Sequence, residues 1–340
     1  MKVGVYYRNA DVRVEDRPMP VAGPGDVVLK VRACGICGSD VMEWYRIKRA
    51  PLVLGHELAG EVVSVGADVE GFKPGDRVFA THHVPCDACR YCLTGHPTAC
   101  KVFQEKNNFD PGGFSEFLKV GGRSVATGMW KLPDTMSWDT ATFIEPLATA
   151  VRAMRTLAIA PGESVMVYGA GIAGILLVKM AKAMGAGTVI SADLNEFRLA
   201  AAKRAGADLT VNAKENVPAF LEKSCGRLAD KVVIAAGALP AARAALESVD
   251  RGGAVLFFAV PQPGETLAVD FNPYWRNDIA FKTCYGAAPL DNFQATELLR
   301  TGTVRVDEMI THRFPLSAIG DAFRTAIDPK DALKVIVEPH

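Results

Sequence analysis

The chain has 340 residues, and its 38 Lys and Arg balance 38 Asp and Glu, so the formal net charge at pH 7 is zero. That balance offers no basic field for nucleic acid and no basic tail for a membrane surface. The length predicts two domains with sizeable cores, and the opening MKVGVYY reads as a strand, with no apolar leader and no later run of spanning length.

Residues 1–150 read as short Val-rich strands broken by Gly and Pro turns, for example at 26–32, 61–65 and 77–80. Their alternation predicts a mostly antiparallel, barrel-like domain. Within it, CGICGSD carries Cys37 and GHELAGEVVSVG carries His56 and Glu57. A thiolate, an imidazole and a carboxylate make three protein ligands, which leave Zn²⁺ a position for water or substrate, as catalysis requires. A buried Cys is usually only a small hydrophobe, and Cys34-x2-Cys37 could be half of a zinc ribbon, but no matching second pair remains for it. Cys225 and Cys284 stand alone and are expected in the core.

The run CDACRYCLTGHPTAC then sets Cys86, Cys89, Cys92 and Cys100 at Cys-x2-Cys-x2-Cys-x7-Cys spacing. Four clustered thiolates suit a closed tetrahedral zinc, a structural site. An iron–sulfur site would place the fourth cysteine nearer and follow it with proline. A disulfide lobe would need an oxidising compartment, whereas this cysteine usage predicts a reducing cytoplasm.

From about residue 153 the texture becomes strand–helix alternation, with strands at 165–168, 189–192, 209–211, 231–235 and 255–259 and helices such as 196–205 and 239–249. This predicts a doubly wound parallel sheet. Its first strand runs into Gly169-x-Gly171-x-x-Gly174 and an apolar helix at 175–184. Strand, glycines and helix in that order form a dinucleotide fingerprint, in which Gly169 permits the turn, Gly171 admits the pyrophosphate and Gly174 lets helix pack on strand. Ile172 and Ala173 lie where N–H groups of a helix start would face the phosphates. Asp193 follows about 20 residues later, placed to accept both ribose hydroxyls and repel a 2′-phosphate, which favours NAD(H) over NADP(H). Arg198, one turn on, could reach a 2′-phosphate or stack on adenine, and Val260 ends a strand region expected to shape the nicotinamide pocket. Helices at 291–301 and 318–327 precede a last strand at 334–337.

Together these motifs resemble the zinc-containing medium-chain dehydrogenases over essentially the whole chain. The likeness rests on Gly55-His56-Glu57-x-x-Gly60-x5-Gly66, Gly75-Asp76-Arg77-Val78, Cys34-Gly-x-Cys37-Gly-Ser39-Asp40 and the four-cysteine lobe. Glu145-Pro146-Leu147-Ala148, where ordinary alcohol dehydrogenases often carry a cysteine ligand, is similar to the polyol dehydrogenases of the sorbitol dehydrogenase type and their threonine dehydrogenase relatives. The resemblance implies an α/β protein with a GroES-like catalytic domain (1–150), an inserted Rossmann domain (151–282) and a C-terminal segment (283–340) returning to the first.

The resemblance also implies two zincs per chain, NAD, and a secondary-alcohol substrate. A polyol or cyclitol is favoured; the alternatives are an amino alcohol, or a non-catalytic protein that binds zinc and nucleotide. Ser39 is expected as a proton relay, against the plainer reading of a turn serine, and Asp40 as acceptor of the second His56 N–H, against a helix-start aspartate. Glu57 and Glu145 share the catalytic zinc in an order that differs between branches, one bound to it and one holding its water. Trp44, Tyr45, Phe109, Phe114 and Tyr285 fall where relatives line the substrate cleft or pack the core, and Arg46, Lys48 and Arg49 near its mouth or in a solvated loop. A cytoplasmic homo-oligomer, a tetramer rather than a dimer, completes the expectation.

Overall fold

In the computed structural model, which describes residues 1–328 and 330–340, the last strand of the chain, Lys334–Glu338, pairs antiparallel with Val27–Gly35 near its beginning. The chain accordingly divides into one unit made of Met1–Ala148 with Ala287–His340 and a second made of Thr149–Gly286.

The first unit is built on an eight-stranded sheet whose main path runs Ile310–Pro315, Lys334–Glu338, Val27–Gly35, Glu57–Val65, Arg77–Ala80 and Met129–Lys131. All its pairs are antiparallel except that between the first two. The strand expected at 61–65 begins four residues earlier, at Glu57. Gly60 reads as a breaker in sequence, but the ladder to Val27–Gly35 continues through it, with Gly60 opposite Val31 and Glu57 opposite Gly35. Val27, Leu29, Val31, Leu58, Val62 and Val78 bury their side chains in one core, which the Tyr6, Phe114 and Phe323 rings close. Burial of each such side chain contributes roughly 1.5–3 kcal/mol.

The second unit holds six parallel strands in the order Leu209–Asn212, Val189–Asp193, Val165–Tyr168, Ala229–Ile234, Val249–Phe257 and Ala280–Thr283. Their near-continuous burial at the centre, complete along Val165–Tyr168, is what a sheet covered on both faces requires. The chain order reverses around Val165–Tyr168, so the crevice beyond its carboxyl end is a topological switch point. The edge strand Ala280–Thr283 carries an AFKT run without a strand signature and was not expected from sequence. Among the described residues no helix is long and apolar enough to cross a membrane.

Candidate metal and dinucleotide sites

The four lobe cysteines converge because short turns separate them. Cys92 rides on the turn of helix Arg90–Leu93, and Cys100 follows the turn Pro97–Ala99. All four sulfurs lie within 4.8 Å of one another, and all are free thiols. The Cys89–Cys92 and Cys86–Cys92 sulfur separations are 3.5 and 4.0 Å. A tetrahedral ion with Zn–S bonds of about 2.3 Å asks for edges of about 3.8 Å, so the thiols fit zinc. Backbone N–H groups of Cys86 and Cys89 donate to the Cys100 and Cys86 sulfurs at 3.4 and 3.3 Å. Burial opposes ionisation of Cys100, but N–H donors from Phe103 and Cys86 outweigh it and bring its pKa to about 6. Burial and the neighbouring sulfurs push Cys92 up to about 12. One thiolate thus forms readily, and a divalent cation would supply the charge to ionise the rest.

A second donor group forms where two chain segments meet at strand ends. Cys37 caps the turn Gly38–Val41, taking the Ser39 N–H on its sulfur at 3.4 Å, while Glu57 opens the strand Glu57–Val65 and His56 directly precedes it. Donor atoms of Cys37, His56 and Glu57 all lie within 4.8 Å of one another. Asp40, fully buried, accepts the Cys37 N–H at 3.1 Å and stands 3.5 Å from His56 Nδ1 and 3.4 Å from Arg46 Nη2. Burial alone would lower the His56 pKa, yet the negative charges of Asp40 and Cys37 carry it well above the ordinary imidazole value. A buried cluster that draws a proton onto its imidazole in this way is a pocket for a cation, and its sulfur, nitrogen and oxygen donors fit Zn²⁺.

Glu145, in the first turn of helix Ile144–Leu157, is half-buried and stands outside this three-donor cluster. Its pKa is pushed up to about 7, first by burial and then by Glu57 and Asp40, while His56 and Lys334 oppose the rise. Of the two acids, Glu57 is the one that the fold gathers with Cys37 and His56.

Three residues near these donors escaped the sequence reading. Lys334 is fully buried, donates to Glu57 Oε2, and lies 5.1 Å from the centre of the Phe143 ring. Its only sequence signal is a lone cation heading the apolar strand KVIVE. His82 and His83, a dihistidine just before the cysteine lobe, lie in series with His56 with their rings tilted, ring centres 4.9 Å apart from His56 to His82 and 3.8 Å from His82 to His83. Burial drives the His82 pKa well below the ordinary value.

The aromatic candidates separate. Phe114 is a correction: its ring is fully buried in the core, edge-on to Phe323 at 5.6 Å, and lines no cleft. Phe109 is buried in the same cluster, whereas Trp44 is half-buried beside an exposed Tyr45, and Tyr285, in the second unit, is exposed. Arg46 is also a correction, since it folds back onto Ser39 and Asp40 instead of lying in a solvated loop, while Lys48 and Arg49 are exposed.

In the second unit the glycine loop has the form of an anion cradle. Gly169 adopts φ +100°, and a Cβ on Gly174 would overlap the Gly169 carbonyl, so both positions exclude side chains. A Cβ on Gly171 would meet nothing within 4 Å, which leaves open the space beside it. The helix begins at Ile172, three residues before the expected start, and has no side-chain cap, so the first-turn N–H groups of Ile172 and Ala173 are left for a ligand. Asp193 accepts the Ala170 N–H at 2.7 Å and the Asn195 N–H at 2.9 Å, one on each oxygen, which fixes its carboxylate at the strand end. Arg198 Nε is buried without a hydrogen-bond partner among the described residues, and Val260 is exposed with its carbonyl against Gly237. These features fit a dinucleotide.

Comparisons agree in both halves. Residues 23–134 match the alcohol dehydrogenase GroES-like domain, and residues 173–301 match the zinc-binding dehydrogenase domain. Sorbitol dehydrogenase of Rattus norvegicus is 33% identical over 335 residues, 95% of this chain and 91% of the rat enzyme. L-threonine 3-dehydrogenase of Yersinia pestis (strain Pestoides F) is 33% identical over 316 residues, 91% of each chain. A solved protein of Sinorhizobium meliloti 1021, described as a zinc-binding dehydrogenase bound to NADP, superposes with a TM-score of 0.88 over 99% of both chains at 26% identity.

Proposed function

The chain belongs to the zinc-containing medium-chain dehydrogenases, a family of enzymes, and we propose that it oxidises a secondary alcohol, a polyol or cyclitol, with NAD⁺. The observation that carries this reading is the buried Cys37–His56–Glu57 cluster, three donors that leave a bound zinc one position open. Bound Zn²⁺ supplies a Lewis acid for the substrate hydroxyl, and the nicotinamide supplies the hydride acceptor.

The protein's part is to hold and orient. Asp40 beside His56 Nδ1 leaves Nε2 as the ligating nitrogen and sets the ring's tautomer. Glu57 would serve as third ligand, and Glu145, whose pKa is raised to about 7 by burial, would be the second acid at the site. Ser39 is the proton relay. Its oxygen accepts from Arg46 Nη2 at 2.9 Å and its hydroxyl donates to Cys37 Sγ at 3.4 Å, a weak bond that the proton leaves when it is passed on as the oxygen receives another. Trp44 borders the substrate. In the second unit Gly169, Gly171 and Gly174 with Ile172 and Ala173 cradle the pyrophosphate, Asp193 takes the ribose hydroxyls, and Val260 and Tyr285 face the nicotinamide side. Cys86, Cys89, Cys92 and Cys100 hold the second, structural zinc.

A polyol is favoured over threonine because Arg46 is committed to Ser39 and Asp40, and because the sorbitol dehydrogenase relative covers 95% of this chain against 91% for the threonine dehydrogenase. An amino acid's carboxylate would need a cation beside the reacting hydroxyl, and the Arg46 guanidinium is already taken up by these two residues. The exposed Trp275 and Phe271 beside the open edge strand Ala280–Thr283 support self-association, for which the family likeness suggests a tetramer. Eight free cysteines are consistent with a reducing cytoplasm. The test is a panel of sugar alcohols, inositols, L-threonine and simple secondary alcohols followed by NADH absorbance. Polyols or cyclitols should give the highest kcat/KM. Turnover of threonine alone would overturn the substrate class, and no turnover of any alcohol would overturn the reaction.

A further inference from the structure

The buried pair of Lys334 and Glu57 joins residues 277 positions apart in the chain. The sheet order brings them together: Lys334–Glu338 and Glu57–Val65 flank Val27–Gly35, with Ile336 and Glu57 both opposite Gly35. Two side chains on strands that are not neighbours meet only if the residue between them yields its space. Gly35 does so, since a Cβ there would lie inside the envelope of Lys334 Cε and Nζ and 2.7 Å from Glu57 Oε2. Both members are sealed from solvent, with side chains 0% and 1% exposed.

A lysine ammonium is almost never buried completely unless it is paired, so the charge of Lys334 acts on Glu57. Here its partner is a proposed zinc ligand, so the following rests on the reading of Cys37, His56 and Glu57 given above. Two anionic donors, Cys37 and Glu57, would already cancel the two charges of the ion. Asp40 is balanced by Arg46, and Lys334 adds a cation whose nearest anion is Glu57 itself. One Glu57 oxygen is thereby committed, and the carboxylate's electron density is divided between an ammonium and a metal.

We propose that Lys334 is a positioning residue that weakens the hold of Glu57 on the catalytic metal, keeping this ligand exchangeable. Removing the ammonium would leave a buried carboxylate with one strong partner, the ion, and Glu57 would close on it. The sign separates this role from plain packing. A lysine that only filled space would, on removal, loosen the pocket and release metal faster.

The experiment uses the full-length, zinc-loaded protein and follows transfer of its more labile zinc to a chromogenic chelator, with the four-cysteine zinc and far-UV circular dichroism reporting the fold. Lys334→Met should slow release about tenfold, a shift of the size expected for a partner of a metal ligand, and Lys334→Arg should stay near the wild-type rate. In a Glu57→Gln background Lys334→Met should change nothing, because its route of action is gone. Should Lys334→Met not fold, Lys334→Gln, uncharged but polar, carries the same expectation. Release that is unchanged or faster in a folded uncharged variant, or equal slowing in the Glu57→Gln background, overturns the proposal alone. A wild-type protein with only the lobe zinc overturns the site reading as well.

Discussion

The Arg46 guanidinium clasps Ser39, donating from Nε to its carbonyl at 2.8 Å and from Nη2 to its hydroxyl oxygen at 2.9 Å. The same Nη2 is 3.4 Å from Asp40 Oδ1, so one side chain ties the hydroxyl proposed as the relay to the carboxylate 3.5 Å from His56 Nδ1. Arg46→Met should therefore lower kcat by about one to two orders of magnitude, the lower range for loss of a positioned proton-transfer group, with a smaller change in KM. Arg46→Lys should recover part of it, because an ammonium cannot reproduce the two-point geometry. Steady-state kinetics on the preferred polyol decide this, and a change confined to KM would contradict the role given to Arg46.

Asp193 is expected to repel the 2′-phosphate of NADP⁺, and it also braces the glycine loop through Ala170. Asp193→Asn keeps an acceptor and removes the charge, so it should narrow the NAD⁺ preference in kcat/KM by about tenfold, the worth of roughly 1.4 kcal/mol. Asp193→Ala should in addition raise KM for NAD⁺, because the loop loses its brace. Equal wild-type efficiency with both cofactors would contradict the assignment, and would point to Arg198, whose buried Nε lacks a partner among the described residues.

Asp230 anchors the first strand of the parallel sheet, accepting the Ser164 N–H at 2.7 Å and its hydroxyl at 2.8 Å on Oδ2. The Arg227 hydrogen bond is the main cause that holds its pKa at about 2, against an ordinary 3.8. Because the folded value is the lower one, its contribution is complete above about pH 4 and is lost as the pH falls towards 2. Arg227 is half exposed, which reduces the effect to about 1–2 kcal/mol. Urea unfolding of the wild type and Asp230→Asn should show that difference at neutral pH and a shrinking one in acid; comparing the two cancels the common loss of zinc. A difference that grew in acid would contradict the assignment.

The edge strand Ala280–Thr283 lies beside Trp275, 81% exposed, and Phe271, 61% exposed. If subunits meet there, Trp275→Asp should shift the sedimentation coefficient towards that of a smaller species without lowering the thermal midpoint of the second unit's core. A monomeric wild type, or an unaffected oligomer, would remove this surface from the account.

What could be read in advance was whatever chemistry is written at short range. The four-cysteine spacing, the glycines after a buried strand and the His56–Glu57 dipeptide each need only local order, and the structure gathers their atoms as those spacings suggest. The edge strand Ala280–Thr283 lacked a pattern because its residues are largely exposed. Long-range relations left no such trace. Lys334 finds Glu57 only through two strand pairings and the missing side chain of Gly35, and Phe114 is a core residue because Phe323, from the far end of the chain, closes over it. The place of Arg46, open in sequence between the cleft mouth and a solvated loop, is hidden for a related reason: a cation among loop residues reads as solvated until its partners, here seven and six residues back, are known.

In the function proposed above, two donor groups hold two zincs of different kinds, and polyol oxidation needs the Cys37–His56–Glu57 one. The most direct measurement is zinc per chain recorded with NADH formation and circular dichroism during mild chelation. Four thiolates should retain their ion longer than a mixed site with an exchangeable ligand. Activity should fall in step with loss of the first zinc while the fold stays intact. Full activity with one zinc remaining per chain, or activity that disappears only with the second zinc and the fold, would rule out Cys37, His56 and Glu57 as the catalytic ligands.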